Sequence, residues 1–187
     1  MGVAGKALPQ FDGVVGIDGH DGTGKTTIAV NVAAQLGMLY LRPFGGSRGQ
    51  ELSRASAEGD TEAVLRIGAS ALEHALQSVA GSGPTILDRS WLTVASLVDD
   101  AVFQARWTLW IPTILCWADL PTTLGRLATR DEAAESVDWH RHYIARYKAI
   151  AAANGCPLVD TSRAGEKEST AQMAEAVLAL LNHARPH

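Results

Sequence analysis

Short runs of consecutive apolar residues alternate along the chain with longer stretches whose apolar positions recur every three or four residues. The first kind predicts strands buried on both faces, the second amphipathic helices. Strands are expected at 14–18, 38–41, 85–88, 113–118 and 157–160. Helices are expected at 24–36, 47–80, 91–110, 121–128, 137–153 and 168–183. Gly37 stops the first helix, Gly59-Asp60 breaks the second, and Gly81-Ser82-Gly83-Pro84 is a turn before the third strand. Pro112 opens the fourth strand, Pro121 suits a first helical turn, and Asn154-Gly155 ends the helix before the last strand. Five strands separated by helices imply an α/β fold, a parallel sheet covered on both faces. Ligands on such sheets bind beyond the carboxyl ends of the strands, in the turns that enter the helices.

Composition supports one domain of this kind. The 187 residues fit about one unit of the usual size of about 150 residues. Hydrophobic residues at 47% supply a core, and 16 Lys+Arg against 20 Asp+Glu leave a net charge of -4. That balance argues against nucleic acid or an anionic membrane as partner. The uncharged stretch at residues 107–118 is too short to span a bilayer, which takes about 20 residues. Lys6 and Asp12 leave no apolar signal core, so a cytoplasmic location is expected. Cys116 and Cys156 sit in apolar runs and read as inert buried thiols.

Chemistry concentrates in the first strand-to-helix turn. Gly19-His20-Asp21-Gly22-Thr23-Gly24-Lys25-Thr26 fits G-x-x-x-x-G-K-[ST] between a strand and a helix. The glycines let backbone N–H groups converge on phosphate oxygens, and the following helix adds its unpaired amides. Lys25 is placed to reach the terminal phosphates, and the Thr26 hydroxyl to ligate Mg²⁺. The chain has no Asn-Lys-x-Asp guanine reader and no Leu-Ser-Gly-Gly-Gln segment. Phosphoryl transfer from ATP to a small acceptor is the reading that remains, with positioning and charge neutralisation as the protein's main contributions.

The sequence resembles the thymidylate kinase family of P-loop nucleoside-monophosphate kinases. The residues that carry the likeness are Asp18-Gly19-His20-Asp21-Gly22-Thr23-Gly24-Lys25-Thr26-Thr27, then Leu41-Arg42-Pro43-Phe44-Gly45-Gly46, then Leu87-Asp88-Arg89-Ser90, and finally Val159-Asp160-Thr161-Ser162. The resemblance implies a three-layer P-loop kinase fold across residues 1–187, strand order 2-3-1-4-5, and a short lid near residues 121–136. It implies ATP and Mg²⁺ as cofactors and a nucleoside monophosphate as the first choice of acceptor. Gly19, Asp21, Gly22, Thr23, Gly24, Lys25, Thr26 and Thr27 would hold the triphosphate, with Asp160 and Thr161 against adenine. Asp21 would approach the acceptor's sugar hydroxyl, and Arg42 and Arg89 its phosphate, with Phe44 as a stacking surface. Asp88 would hold Mg²⁺ through water beside Thr26, and Arg126 and Arg130 would neutralise the transferred group. Homodimers are common in the family, and the apolar helix at 91–98 is a candidate contact.

Three departures bear on the acceptor. Leu97 and Val98 stand where the family has a Tyr-Gln pair that reads thymine; Pro43-Phe44 replaces an acidic residue; Asp131-Glu132-Ala133-Ala134-Glu135 replaces the usual lid continuation. A nucleoside or a sugar-like or natural-product hydroxyl is therefore the alternative acceptor. A reading of another class is an ATP-binding regulatory module with little turnover, against which Asp88, Arg89 and the lid arginines speak. His20 is given no catalytic role, residues 140–146 read as a solvated helix face, and Trp107, Trp110 and Trp117 read as core.

Overall fold

Strand β1 (Val14–Asp18) is buried along its whole length and lies at the centre of the sheet. The computed structural model describes residues 13–129 and 135–183. After β1 come helix α1 (Lys25–Leu36), strand β2 (Leu39–Leu41), and helices α2 (Ser47–Ala57) and α3 (Thr61–Ser78). Strand β3 (Thr85–Asp88) is followed by helices α4 (Trp91–Ser96) and α5 (Asp100–Arg106), and strand β4 (Thr113–Trp117) by α6 (Leu120–Leu127) and α7 (Val137–Ala153). Strand β5 (Leu158–Asp160) and helix α8 (Glu166–His183) complete the described chain. The order β2-β3-β1-β4-β5, all pairings parallel, is the one the resemblance implied.

Because successive strand residues face opposite sides, each strand feeds two cores. Val15, Ile17, Ile86 and Ile114 pack with Ile28 and Val32 of α1 and Met173 and Val177 of α8. Leu87 and Leu115 face the other layer, with Leu92, Phe103, Trp91 and Tyr147. Each fully buried Leu, Ile or Phe contributes about 1.5–3 kcal/mol relative to exposure, so these two layers hold the strand ends in place.

The stretch 91–110 departs from the expected single helix. Asp99 accepts hydrogen bonds from the amides of Ala101 and Val102 and starts α5 afresh. Arg146 donates to the carbonyls of Ala95, Ser96 and Val98, so a long-range guanidinium closes the end of α4. That places Arg146 in a structural role, while Arg141 and His142 are exposed. Residues beyond Arg106 run extended, with Trp107 and Trp91 donating to the carbonyls of Leu109 and Ile111. Trp107 is core and Trp110 packs edge-on against Trp91, whereas Trp117 lies under the Lys148 ammonium. Every residue of α4 is buried within this chain, whereas Leu97, in the helix expected at a subunit contact, is partly exposed. Among the described residues no helix is long and apolar enough to cross a membrane.

Candidate active site

The loop from β1 to α1 is shaped by close approach. A Cβ on Gly19 would lie 2.2 Å from the Cys116 carbonyl oxygen, so only glycine lets the loop cross the end of β4. Gly24 takes φ 84 as the residue before α1, and no side chain caps that helix. The first amides of α1 are thus left for an anion. Cys116 beneath the loop has its thiol pushed up to about 11 by burial, and Cys156 likewise to about 11, in keeping with inert thiols.

One buried carboxylate ties this loop to the next. Asp18 accepts from the amides of Gly19 (2.7 Å), Ser90 (2.7 Å) and Thr93 (2.8 Å) and from the Thr93 hydroxyl (2.7 Å). Donors to a charged acceptor make strong bonds, and four of them offset the cost of burying the charge. Sequence reasoning gave Asp18 no function. The available signal was an acid closing an otherwise apolar buried strand, a place where donors are obligatory.

Lys25 is buried, with Nζ 3.2 Å from Asp21 Oδ1 and 3.3 Å from the His20 carbonyl. Burial and the neighbouring Arg89 push its pKa down, against the pull of Asp21 and Asp88. Arg89 donates to Asp21 Oδ1 (2.5 Å), the Gly19 carbonyl (3.3 Å), Thr93 (3.2 Å) and the Tyr147 hydroxyl (3.4 Å). Its backbone has φ 77, in the left-handed region, a conformation that costs roughly 1–3 kcal/mol in a non-glycine residue. The Arg89 amide bond to the Ile17 carbonyl and the four side-chain bonds hold it there. Burial lowers the Arg89 pKa, but Tyr147 and Asp21 outweigh it and keep the guanidinium firmly charged. Burial likewise favours the neutral Asp21 carboxyl, yet Lys25 and Arg89 hold it well below the usual range. Both cations bond Asp21 Oδ1, and Oδ2 has no hydrogen bond among the described residues.

At the other rim, Asp88 Oδ2 accepts from Thr26 (2.8 Å) and from the Tyr40 hydroxyl (2.9 Å), with Arg42 Nε at 3.4 Å. Asp88 Oδ1 is buried without a partner. A carboxylate oxygen left open beside the P-loop threonine fits the donor set that Mg²⁺ takes with a bound nucleotide. Tyr40, whose hydroxyl pKa is raised by burial and by Asp88, was missed because only the β2–β3 pairing brings it there.

Arg126 donates to the carbonyls of Gly22, Thr23 and Thr161 and to the Thr161 hydroxyl. It joins the P-loop to the turn after β5 and lines a cavity of about 500 Å³ with Gly24, Thr27 and Thr161. Asp160 instead accepts from the Ser162 amide and does not line that cavity. Arg130, with residues 131–134 of the expected lid, lies outside the described residues.

A second cavity, about 290 Å³, is lined by Asp21 and Arg89, with Phe44, Trp139 and Tyr143 on its walls. Leu97 is on that wall too, as the sequence suggested, whereas Arg42 projects to solvent with its side chain 58% exposed. His20 and His140 are both buried and share one hydrogen bond, Nε2 to Nδ1 at 2.8 Å, in which one ring donates. Burial and the charges of His140, Lys25 and Arg89 press the His20 pKa down to about 4, with Asp21 opposing. The solvated-face reading of residues 140–146 therefore fails at His140. It shares an inner face with Ile144, Tyr147 and Ile150 at helical spacing, the pattern that marked it.

Cavities on both sides of a phosphate loop, at the carboxyl edge of a 2-3-1-4-5 parallel sheet, define the fold of the P-loop kinases. Among solved structures the chain resembles a deoxyadenosine kinase from M. mycoides with dCMP and a flexible dCDP bound, at TM-score 0.65 and 14% identity over 89% of this chain and 99% of that one. It resembles the same enzyme with dATP at 0.64, 14%, 88% and 99%, and with dCTP at 0.61, 14%, 89% and 99%. No family model and no curated protein matches the sequence. At this identity the likeness establishes the fold.

Proposed function

We propose that the protein is an ATP- and Mg²⁺-dependent kinase that phosphorylates a hydroxyl group of a small, nucleoside-like acceptor. The observation that carries this reading is Asp21, which lines the acceptor cleft and is fixed through Oδ1 by Lys25 and Arg89 while Oδ2 has no hydrogen bond among the described residues. A hydroxyl donates to Oδ2 and is thereby aimed. A phosphate dianion in the same place would meet a carboxylate that already occupies Arg89, the one guanidinium on that wall among the described residues. Nucleotide-bound deoxyadenosine kinases of the same fold support an acceptor of this kind.

The triphosphate would lie on the amides of Gly22–Thr27, with the adenosine end in the cavity beside Arg126 and Thr161. Thr26 and Asp88 would hold Mg²⁺ with the nucleotide, and the ion would supply neutralisation of phosphate charge. The acceptor oxygen bonds to the γ-phosphorus as the bond to the β,γ-bridging oxygen breaks; ADP leaves, and the hydroxyl proton passes to Asp21. Because Lys25 and Arg89 depress its basicity, Asp21 orients the hydroxyl first and takes its proton late, as a loose transition state permits. Lys25 stabilises charge on the transferred group.

A nucleoside monophosphate is the second reading, favoured by Arg42, a largely exposed guanidinium at the same sheet edge. Rates of ADP release with nucleosides and with their monophosphates separate the two. Stimulation by nucleosides supports the hydroxyl acceptor, stimulation by monophosphates alone reverses the order, and a flat response to all of them favours a binding module.

A further inference from the structure

The acceptor cleft is aromatic on its faces and chemically spent around its edge. Trp139 and Tyr143, one turn apart on α7, have ring centroids 4.5 Å apart, and both border the cavity of about 290 Å³ together with Phe44. Small-molecule sites usually set orientation with a few free polar groups on such walls. Here those groups are already engaged. The Thr93 hydroxyl donates to Asp18 and accepts from Arg89 and Tyr147. The Ser96 hydroxyl donates to the Thr93 carbonyl, and His20 Nε2 is bound to His140. No Asn, Gln or Glu lines this cavity among the described residues, and Leu97 adds only an apolar side chain. Ser53, exposed at the rim, and Tyr143, partly exposed, carry the wall hydroxyls without a hydrogen bond among them.

We infer that the acceptor's ring is gripped by its faces and not read at its edge, so that flat heterocyclic nucleosides are accepted with little discrimination among bases. This rests on the cleft being the acceptor site, and it deepens that reading by naming what selects the substrate. Discrimination of 10⁴-fold or more needs buried polar groups that go unpaired with the wrong ligand, and the wall hydroxyls left free, those of Ser53 and Tyr143, are both at least partly exposed. Stacking tolerates any base, because every base has a π-face. Trp139 and Tyr143 also border a larger cavity, about 870 Å³, which leaves room for a two-ring base as well as a one-ring base.

The test is kcat/KM for four nucleosides carrying adenine, guanine, cytosine and thymine, on the wild type and on the variants Trp139→Leu, Tyr143→Leu and Ser53→Ala, with ATP binding measured calorimetrically in parallel. The expected spread among bases is within about tenfold. Either aromatic variant should raise KM for every nucleoside by a similar factor, about tenfold or more, with ATP affinity unchanged. Trp139 and Tyr143 are both partly exposed, so at least one replacement is expected to fold. Ser53→Ala should leave the ranking of bases intact. A preference of about a thousandfold for one base, a ranking that collapses in Ser53→Ala, or an unchanged KM in both aromatic variants overturns the inference. Turnover of no nucleoside by a protein that binds ATP also overturns it. Failure to bind ATP at all removes the kinase reading beneath it, and the inference falls with that reading.

Discussion

Acidification should unfasten the His20–His140 contact, and His20→Gln measures how much stability that contact carries. His20 is 4% exposed, and its pKa lies at about 4 in the folded chain against 6.5 for a free imidazole. The unfolded chain therefore binds more protons between those values, so stability falls as pH drops through 6.5 and levels off below about 4. Integrating that difference from about pH 7.5 to pH 5 gives a loss of about 2 kcal/mol from this one ring, on a full-range limit of about 3 kcal/mol. With an ordinary urea slope for this size, about 2 kcal/mol per molar, the midpoint should move by about 1 M. Urea titrations of wild type and His20→Gln at the two pH values supply the comparison. The variant should lose about 2 kcal/mol less than the wild type on acidification. Equal losses in the two proteins would show that His20 titrates as an ordinary imidazole and that the buried pair is misread.

Asp18→Asn should cost about 3 kcal/mol or more by denaturation, because an amide must turn its own N–H₂ toward at least one of the donors that the carboxylate accepts; a loss under about 1 kcal/mol would refute the clamp. Tyr40→Phe removes one donor to Asp88 Oδ2, and Mn²⁺ affinity in the presence of a non-hydrolysable ATP analogue, read by electron paramagnetic resonance, should fall about fivefold or more, with metal-free nucleotide binding unchanged. Lys25→Ala should reduce turnover by about a hundredfold or more in an ADP-release assay while the fold persists. Arg89→Ala should chiefly raise the acceptor's KM, since it frees the Asp21 carboxylate it holds at 2.5 Å; an unchanged KM would contradict that placement.

What the sequence revealed follows from range along the chain. The phosphate loop is a run of adjacent residues between a strand and a helix, so its glycines, Lys25 and Thr26 were legible at once. The strand order followed from the family likeness and is that of the structure. The contacts that finish the site join distant positions: His20 with His140, Tyr40 with Asp88, Arg126 with Thr161. No local pattern announces such pairs. Arg126 read as a lid cation because nothing nearby in sequence shows the carbonyls it reaches, and the apolar helix at 91–98 read as a candidate subunit contact because its apolar residues do not say what covers them.

The Asp18 carboxylate fastens the first amide of the phosphate loop and the opening of α4 with the same two oxygens. The phosphate loop and the opening of α4 are thereby bolted to one post, and exchanging Thr93 would disturb both. The side chains of Phe44, Trp139 and Tyr143 make no hydrogen bond to that joint among the described residues. On the proposed kinase reading, retraining the protein toward another alcohol would begin with Phe44, Trp139 and Tyr143, which would leave Lys25 and the phosphate loop alone.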